Sequence, residues 1–253
     1  MNPEEFARIL LSRLNAKQPA DLEAVAGALR LRIRGVNSTG FVGAMFPAED
    51  GIGGLISVNA QIRESGRKRF TIAHEIGHYV LPVNLVAPSV CSLTDVGTWG
   101  SANRFERAAD IFATELLLPG QEVQRIVSEN GVTITSAELI KSAFDVSFTA
   151  AAYRCVELTK DESALVVSVK GVVKRYKPSA SWRYRIFTNC ALGRYTMARE
   201  LLHHPGTREL CGTVSPREWA SEGKYTEQSA ELWEESTYQI GYGTILSFLT
   251  VLN

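Results

Sequence analysis

A short string of polar residues inside an apolar stretch constrains this chain more than any other feature. His74, Glu75 and His78 follow the pattern H-E-x-x-H, and most residues around them are small or apolar. The apolar positions of residues 70–81 recur at helical spacing, which predicts an α-helix. Residues four positions apart lie on the same face of a helix, so both imidazoles can reach one point.

A metal ion at that point would explain why these polar side chains are there. Buried ionisable groups are costly without partners, and two imidazoles beside a carboxylate match the zinc site of metallopeptidases. Glu75 lies about 100° around the helix from His74, where it can take a proton from water. Gly77 lowers the helix propensity, and a close approach by another backbone or by substrate would explain it. The pattern H-E-x-x-H also occurs by chance, so the surrounding sequence has to show whether this one is a metal site.

A catalytic zinc needs a third protein ligand, and a second predicted helix offers two candidates. This helix covers residues 106–118 and ends before Pro119. Glu106 and Asp110 share a face of it, whereas Glu115 points elsewhere, so we predict Glu106 as the ligand. Asp110 would then accept a hydrogen bond from a ligand histidine and fix its tautomer. Alternatively, Glu106 and Asp110 are ordinary solvated charges near a helix start.

Separated motifs in this region resemble the ImmA/IrrE family of bacterial and phage metallopeptidases. The motifs, in order, are the strand-like GLISVN at residues 54–59, RKRFTIAHEIGH at 67–78, ERAADIFA at 106–113 and LLLP at 116–119. Their order and spacing match the family over roughly residues 50–160. Asp110 stands where the family often has Asn.

The resemblance implies a gluzincin-like zinc site and a function. Carried over by position, His74, His78 and Glu106 are zinc ligands and Glu75 is the general base. Mn²⁺ or Fe²⁺ can share such ligands. The implied substrate is a DNA-binding helix-turn-helix repressor, cut to relieve repression of stress or mobile-element genes. The alternative is a non-catalytic regulator that uses the zincin fold to bind a repressor or DNA, although the intact base at Glu75 argues against it.

The predicted elements give an α+β fold in three parts. Residues 1–130 hold the motifs and a short sheet, which the resemblance identifies as a zincin-like peptidase lobe. Residues 131–160 contain two helices joined by a short turn, the layout of a helix-turn-helix unit. Residues 161–253 form a separate small α+β domain, and some family members carry a GAF-type sensor domain of this length. Within this third part, residues 184–188 are a predicted strand.

The strand predicted at residues 54–59 also has a functional interpretation. As an edge strand, it would hold an extended substrate by main-chain pairing. The candidate substrate-binding residues are Leu55, Ile56, Ser57 and Val58. Residues 82–103, which follow the first motif helix, are predicted as a loop beside the cleft, where specificity is often carried.

The helix pair lacks the side chains of a DNA reader. Base recognition needs basic or amide side chains near the start of the second helix. That start is Ser147-Phe148-Thr149-Ala150, and Arg154 is the only Arg or Lys before Lys160. The 27 basic and 27 acidic residues give a formal net charge of zero, so no global field attracts nucleic acid. We therefore expect a structural or partner-binding pair and no direct nucleic-acid binding.

Cysteine usage and hydropathy predict a cytoplasmic protein. The four cysteines are widely spaced and form no C-x-x-C pair, as expected for free thiols. Residues 1–14 are charged and amphipathic, unlike a signal peptide. No run of about 18 apolar residues indicates a membrane span.

Overall fold

The computed structural model describes residues 2–81, 89–91, 103–204, 206–220, 231–239 and 243–252. Most of the predicted loop at residues 82–103 lies outside this part of the chain. The described helices are α1 (Pro3–Arg13), α2 (Leu22–Ala28), α3 (Ser65–Val80), α4 (Arg104–Leu117), α5 (Gly120–Asn130), α6 (Ile134–Phe144), α7 (Phe148–Leu158) and α8 (Met197–His203). None of them combines the length and apolar composition needed to cross a bilayer.

The strands belong to two sheets, so the protein has the predicted mixed α+β class. They are β1 (Leu31–Val36), β2 (Gly43–Pro47), β3 (Gly54–Asn59), β4 (Ser89–Cys91), β5 (Ser163–Val169), β6 (Val172–Pro178), β7 (Glu209–Val214), β8 (Glu231–Gln239) and β9 (Thr244–Leu252). The first sheet has the order β1-β3-β2-β4, and the second has the order β6-β5-β9-β8-β7.

The chain divides into two compact units. The first comprises residues 1–120 and 141–147, and the second comprises residues 121–140 and 148–253. The first sheet lies in the first unit and the second sheet in the second unit, while the division passes through α6. The predicted domain boundaries after residues 130 and 160 stay a prediction.

Helix α3 is central to the first unit. It packs against α4 and against strands β2 and β3. Residues Thr71–His78 are all buried, so about two turns of α3 have no solvated face. Strand β1 runs parallel to β3, whereas β2 is antiparallel to both β3 and β4. The polar residues of the H-E-x-x-H motif therefore lie in the interior of this unit.

Local capping signals determine where the neighbouring helices begin. At α1, Glu5 N donates to Asn2 Oδ1 and Asn2 N donates to Glu5 Oε2, which completes a capping box. At α4, the Asn103 side chain accepts a hydrogen bond of 3.0 Å from Phe105 N. This cap sets the start of α4 and thereby places Glu106 in its first turn.

The second unit is built on a five-stranded antiparallel sheet. Helix α7 packs against β5 and β6, and α8 packs against β7 and β8. The prediction of a strand at residues 184–188 is wrong, since Ile186 forms only an isolated bridge with Ala220. Tyr184 and Ile186 are both buried in the core cluster of this unit. Their alternating burial resembles that of a strand, but no strand among the described residues forms a ladder with them.

The predicted helix pair is present as α6 and α7, which are joined by residues 145–147. The side chain of Arg154 in α7 is only 6% exposed, and its Nη1 donates to Glu157 Oε2 at 2.7 Å. This guanidinium group is held within the protein and is not presented to a base edge. The expectation that the pair is not a DNA reader stays a prediction.

Glu234 of β8 is fully buried and joins three parts of the second unit. Its Oε1 accepts hydrogen bonds of 2.7 Å from both Ala198 N and Ser236 Oγ. Its Oε2 accepts a hydrogen bond of 2.9 Å from the indole Nε1 of Trp219. Ala198 lies in the first turn of α8, so one carboxyl group connects a helix start, a strand and a buried indole. Burial raises the pKa of Glu234 although these hydrogen bonds oppose the shift.

Replacing Glu234 with Ala should lower the free energy of unfolding of the second unit by roughly 2–6 kcal/mol. The reason is that two buried donors, Ala198 N and Trp219 Nε1, lose their acceptor at a cost of about 1–3 kcal/mol each. Urea unfolding followed by tryptophan fluorescence measures the change. Glu231→Ala, at the exposed start of the same strand, is the control and should change stability by less than about 0.5 kcal/mol.

The same variant has a defined pH dependence. Because the folded-state pKa of Glu234 is raised, its contribution to stability is complete below its ordinary value of 4.5. The contribution is lost as the pH rises through the folded-state pKa. Glu234→Ala should therefore destabilise the protein more at acidic than at alkaline pH, and a destabilisation that grows with pH would contradict this account.

Candidate metal centre

Helices α3 and α4 bring His74, His78 and Glu106 together. His74 Nε2 lies 3.0 Å from His78 Nε2 and 3.1 Å from Glu106 Oε2, and His78 Nε2 lies 3.4 Å from Glu106 Oε1. One ligand atom from each residue lies within 4.8 Å of the others. In the part of the chain that the structure describes, no other group of three His, Cys, Asp or Glu side chains has such spacing.

The spacing and chemistry of this cluster fit a zinc ion. Tetrahedral zinc with bonds of about 2.0–2.1 Å places neighbouring ligand atoms about 3.3–3.4 Å apart. The three closest separations in the cluster, 3.0, 3.1 and 3.4 Å, are near that value. Two imidazoles and one carboxylate also form the donor set of known catalytic zinc sites, in which the fourth position is left open.

The electrostatics of the cluster favour a cation. Asp110 Oδ1 lies 2.9 Å from His74 Nδ1. Burial lowers the pKa of His74, but the hydrogen bonds with Asp110 and Glu106 and the charge of Glu75 outweigh it and raise the pKa to about 9. Burial raises the pKa of Glu106, but hydrogen bonds with His74 and His78 outweigh it and lower the pKa. Three carboxylates thus surround two imidazoles, an environment that suits a bound divalent ion.

Gly77 allows the two helices to come close enough for this cluster to form. A Cβ atom at Gly77 would lie 3.0 Å from Phe112 Cδ1 and 3.3 Å from the backbone of Ala109. The predicted close approach by another backbone is therefore confirmed, and that backbone belongs to α4. Ala109 lies within one turn of both Glu106 and Asp110, so the contact is at the level of the metal cluster.

Two other polar side chains near the motifs, one of them the rejected ligand candidate Glu115, make contacts outside the cluster. Glu115 is buried, and its Oε1 accepts hydrogen bonds from Arg8 Nε at 3.1 Å and from Gly120 N at 3.3 Å. This carboxylate therefore connects α1 to the end of α4 and is not part of the cluster. The hydroxyl group of Tyr79 accepts a hydrogen bond of 2.8 Å from Gly53 N, so it supports the turn before β3.

The prediction that Leu55, Ile56, Ser57 and Val58 form a substrate-binding edge is wrong. Strand β3 lies between β1 and β2, and both neighbours pair with it from residue 54 to residue 58 or beyond. Ile56 and Val58 are also fully buried. Since the main-chain groups of β3 already pair within the sheet, they are not available to an extended substrate.

Comparisons with known proteins agree with the placement of the motifs. A family model described as the IrrE N-terminal-like domain, from a peptidase family, matches residues 29–156, which is 128 of the 253 residues. A Mycobacterium tuberculosis transcriptional regulator has a similar structure, with a TM-score of 0.57 over 98% of this chain and 75% of that chain. The two sequences are 14% identical, so this likeness concerns the fold alone. A comparison with curated proteins finds no match.

The Asp110 carboxylate should contribute to metal affinity through His74. Asp110→Ala is expected to weaken zinc binding about 10–100-fold, because His74 loses the acceptor that fixes its tautomer. Competition with a chelator of known affinity measures the zinc dissociation constant. Asp110→Asn is the matched control, since its amide oxygen can still accept that hydrogen bond, and it should bind zinc nearly as tightly as the wild type. Unchanged affinity in Asp110→Ala would remove Asp110 from the site.

Proposed function

Because the chain belongs to the family of the IrrE N-terminal-like domain, we propose that it is a zinc-dependent endopeptidase. Its proposed substrate is a specific protein, a helix-turn-helix transcriptional repressor, whose cleavage would derepress stress or mobile-element genes. The observation that carries the proposal is the convergence of His74, His78 and Glu106 on one point, with Glu75 one residue from the first ligand. The repressor as substrate is taken from the family resemblance.

Each residue of the cluster has a distinct chemical task in this proposal. His74 and His78 would hold the metal through neutral imidazole nitrogens, and Glu106 would hold it through its carboxylate. When bound, zinc would act as a Lewis acid that polarises the peptide carbonyl and lowers the pKa of water, so that a nucleophile is available at neutral pH. Glu75 accepts the proton of the attacking water and delivers it to the leaving amine. Asp110 keeps the Nδ1 proton on His74, so that Nε2 is the nitrogen that faces the metal.

The burial of Glu75 suits the role of a general base. Its side chain is fully buried in the first unit, on the same helix as both histidines. A carboxylate in a water-poor site interacts strongly with nearby charges and is held in a narrow range of positions. A base in this setting can accept the proton of the attacking water without a large rearrangement.

Glu75→Gln should reduce cleavage about 10²–10⁴-fold while zinc stays bound, because Gln keeps the shape of the side chain but cannot accept the proton. The measurement compares new protein N-termini, identified by mass spectrometry, in an extract of the source cells treated with zinc-loaded wild type or variant. A new terminus within a helix-turn-helix protein should appear with the wild type and be nearly absent with Glu75→Gln. Glu64→Gln, at the start of the same helix, is the control and should cut like the wild type.

The outcomes of this experiment separate the parts of the proposal. Equal cleavage by Glu75→Gln would contradict the role of Glu75 as the base. Cleavage of a protein of another class would leave the peptidase in place and overturn the repressor as its substrate. If zinc-loaded wild type produced no new termini, the proposal of an endopeptidase would be wrong, and the alternative of a non-catalytic regulator would be favoured.

A further inference from the structure

Gly43 of β2 lies directly against the side chain of Glu75. A Cβ atom built at Gly43 would lie 2.6 Å from Glu75 Oε1 and 2.5 Å from Thr71 Cγ2. Both values are well below the separation of about 3.5–4.0 Å at which carbon atoms make favourable contacts. Only a residue without a side chain can therefore occupy this position while Glu75 and Thr71 keep their places.

The glycine is not explained by the backbone of β2. Glycine has no side chain to pack in a strand, and it often marks a place where another group approaches closely; Gly43 is the first residue of β2. Gly43 is buried and pairs with Val58 of β3 in a regular antiparallel register. Gly35 of β1 pairs with the same Val58 from the other side, yet a Cβ atom there would meet only Ala60 Cβ, at an ordinary 3.7 Å. Of these two glycines in one row of the sheet, only Gly43 has no room for a methyl group.

We infer that Gly43 is a positioning residue that fixes the carboxylate of Glu75 by letting the backbone of β2 close against it. This inference rests on the proposed function, in which Glu75 is the base. The carboxylate is attached to α3 on one side and is bounded by β2 on the other, so its range of positions is narrow. Accurate placement of a reacting group can change a rate by about 10²-fold per ångström of displacement.

The test uses zinc-loaded full-length protein and acetohydroxamic acid as a probe. This small molecule chelates zinc, and its hydroxyl group forms a charge-assisted hydrogen bond with a carboxylate beside the metal. Isothermal titration calorimetry gives its affinity for the wild type, Gly43→Ala and the matched control Gly35→Ala. We expect Gly43→Ala to keep its zinc and to bind the probe about tenfold more weakly or worse. Gly35→Ala should bind both zinc and the probe like the wild type.

A second comparison separates the Glu75 contact from a general disturbance of the strand. In a Glu75→Ala background there is no carboxylate to displace, so adding Gly43→Ala should cause no further loss of probe affinity. In a Thr71→Ser background the contact with the Thr71 methyl group is gone, so Gly43→Ala should still weaken probe binding. An equal loss in the Glu75→Ala background, or full recovery in the Thr71→Ser background, would overturn the inference.

The remaining outcomes are also decisive. If wild type binds neither zinc nor the probe, the proposed function fails and the inference fails with it. If wild type binds both and Gly43→Ala binds both equally well, only the inference fails. Should Gly43→Ala not fold, a crystal structure of zinc-loaded wild type with acetohydroxamate decides. The inference requires the Glu75 carboxylate against the Gly43 methylene and within hydrogen-bond distance of the probe, and a carboxylate turned away from either would overturn it.

Discussion

The close packing of α3 against α4 is the interaction on which the proposed site depends. It places Glu106, near the start of one helix, beside two imidazoles in the middle of the other. The contact requires a glycine at residue 77, where even a methyl group would press on Phe112 and on the backbone of Ala109. Glycine in a helix interior costs about 1 kcal/mol relative to alanine. That cost is offset by the packing and by the cluster that the packing allows.

Because the cluster is buried, its polar groups need partners. His74 and Glu75 are fully buried and His78 nearly so, and polar groups in such a place are stable only when they are paired or bind an ion. Burial lowers the pKa of His74, but the hydrogen bonds with Asp110 and Glu106 outweigh it and raise the pKa to about 9. A metal that binds there has to displace the proton on His74, so its affinity depends on pH. The carboxylates that stabilise the protonated form of His74 are thus the same groups that favour the binding of a divalent ion.

The features that the sequence predicted best are local ones. The H-E-x-x-H helix, the second helix with Glu106 and Asp110 on one face, and the strand at residues 54–59 all depend on spacing within a single element. The cap at Asn103 was not predicted, but it is also a local feature, since it sets the start of α4 and places Glu106 in the first turn. The choice of Glu106 over Glu115 also followed from helical spacing, and of these two residues the structure places Glu106 beside the histidines.

The features that the sequence did not predict are set by contacts between distant parts of the chain. The order of strands within a sheet is one of them. β1 pairs directly with β3 although β2 lies between them in the sequence, which makes β3 internal and removes the predicted substrate edge. Tyr184 and Ile186 are buried like alternate residues of a strand, but among the described residues they form only the bridge between Ile186 and Ala220, so the prediction of a strand was wrong. Gly43 carried a weak signal as a glycine within a strand, but its neighbour Glu75 is 32 positions away and only the fold brings them together.

The metal content of the purified protein tests the central claim most directly. It is measured by elemental analysis, after supply of zinc, for the wild type, Glu106→Ala and Glu115→Ala. The account predicts one zinc per chain in the wild type and in Glu115→Ala, and loss or marked weakening of zinc binding in Glu106→Ala. Wild type without metal, or Glu106→Ala that binds zinc as tightly as the wild type, would contradict a site built from His74, His78 and Glu106.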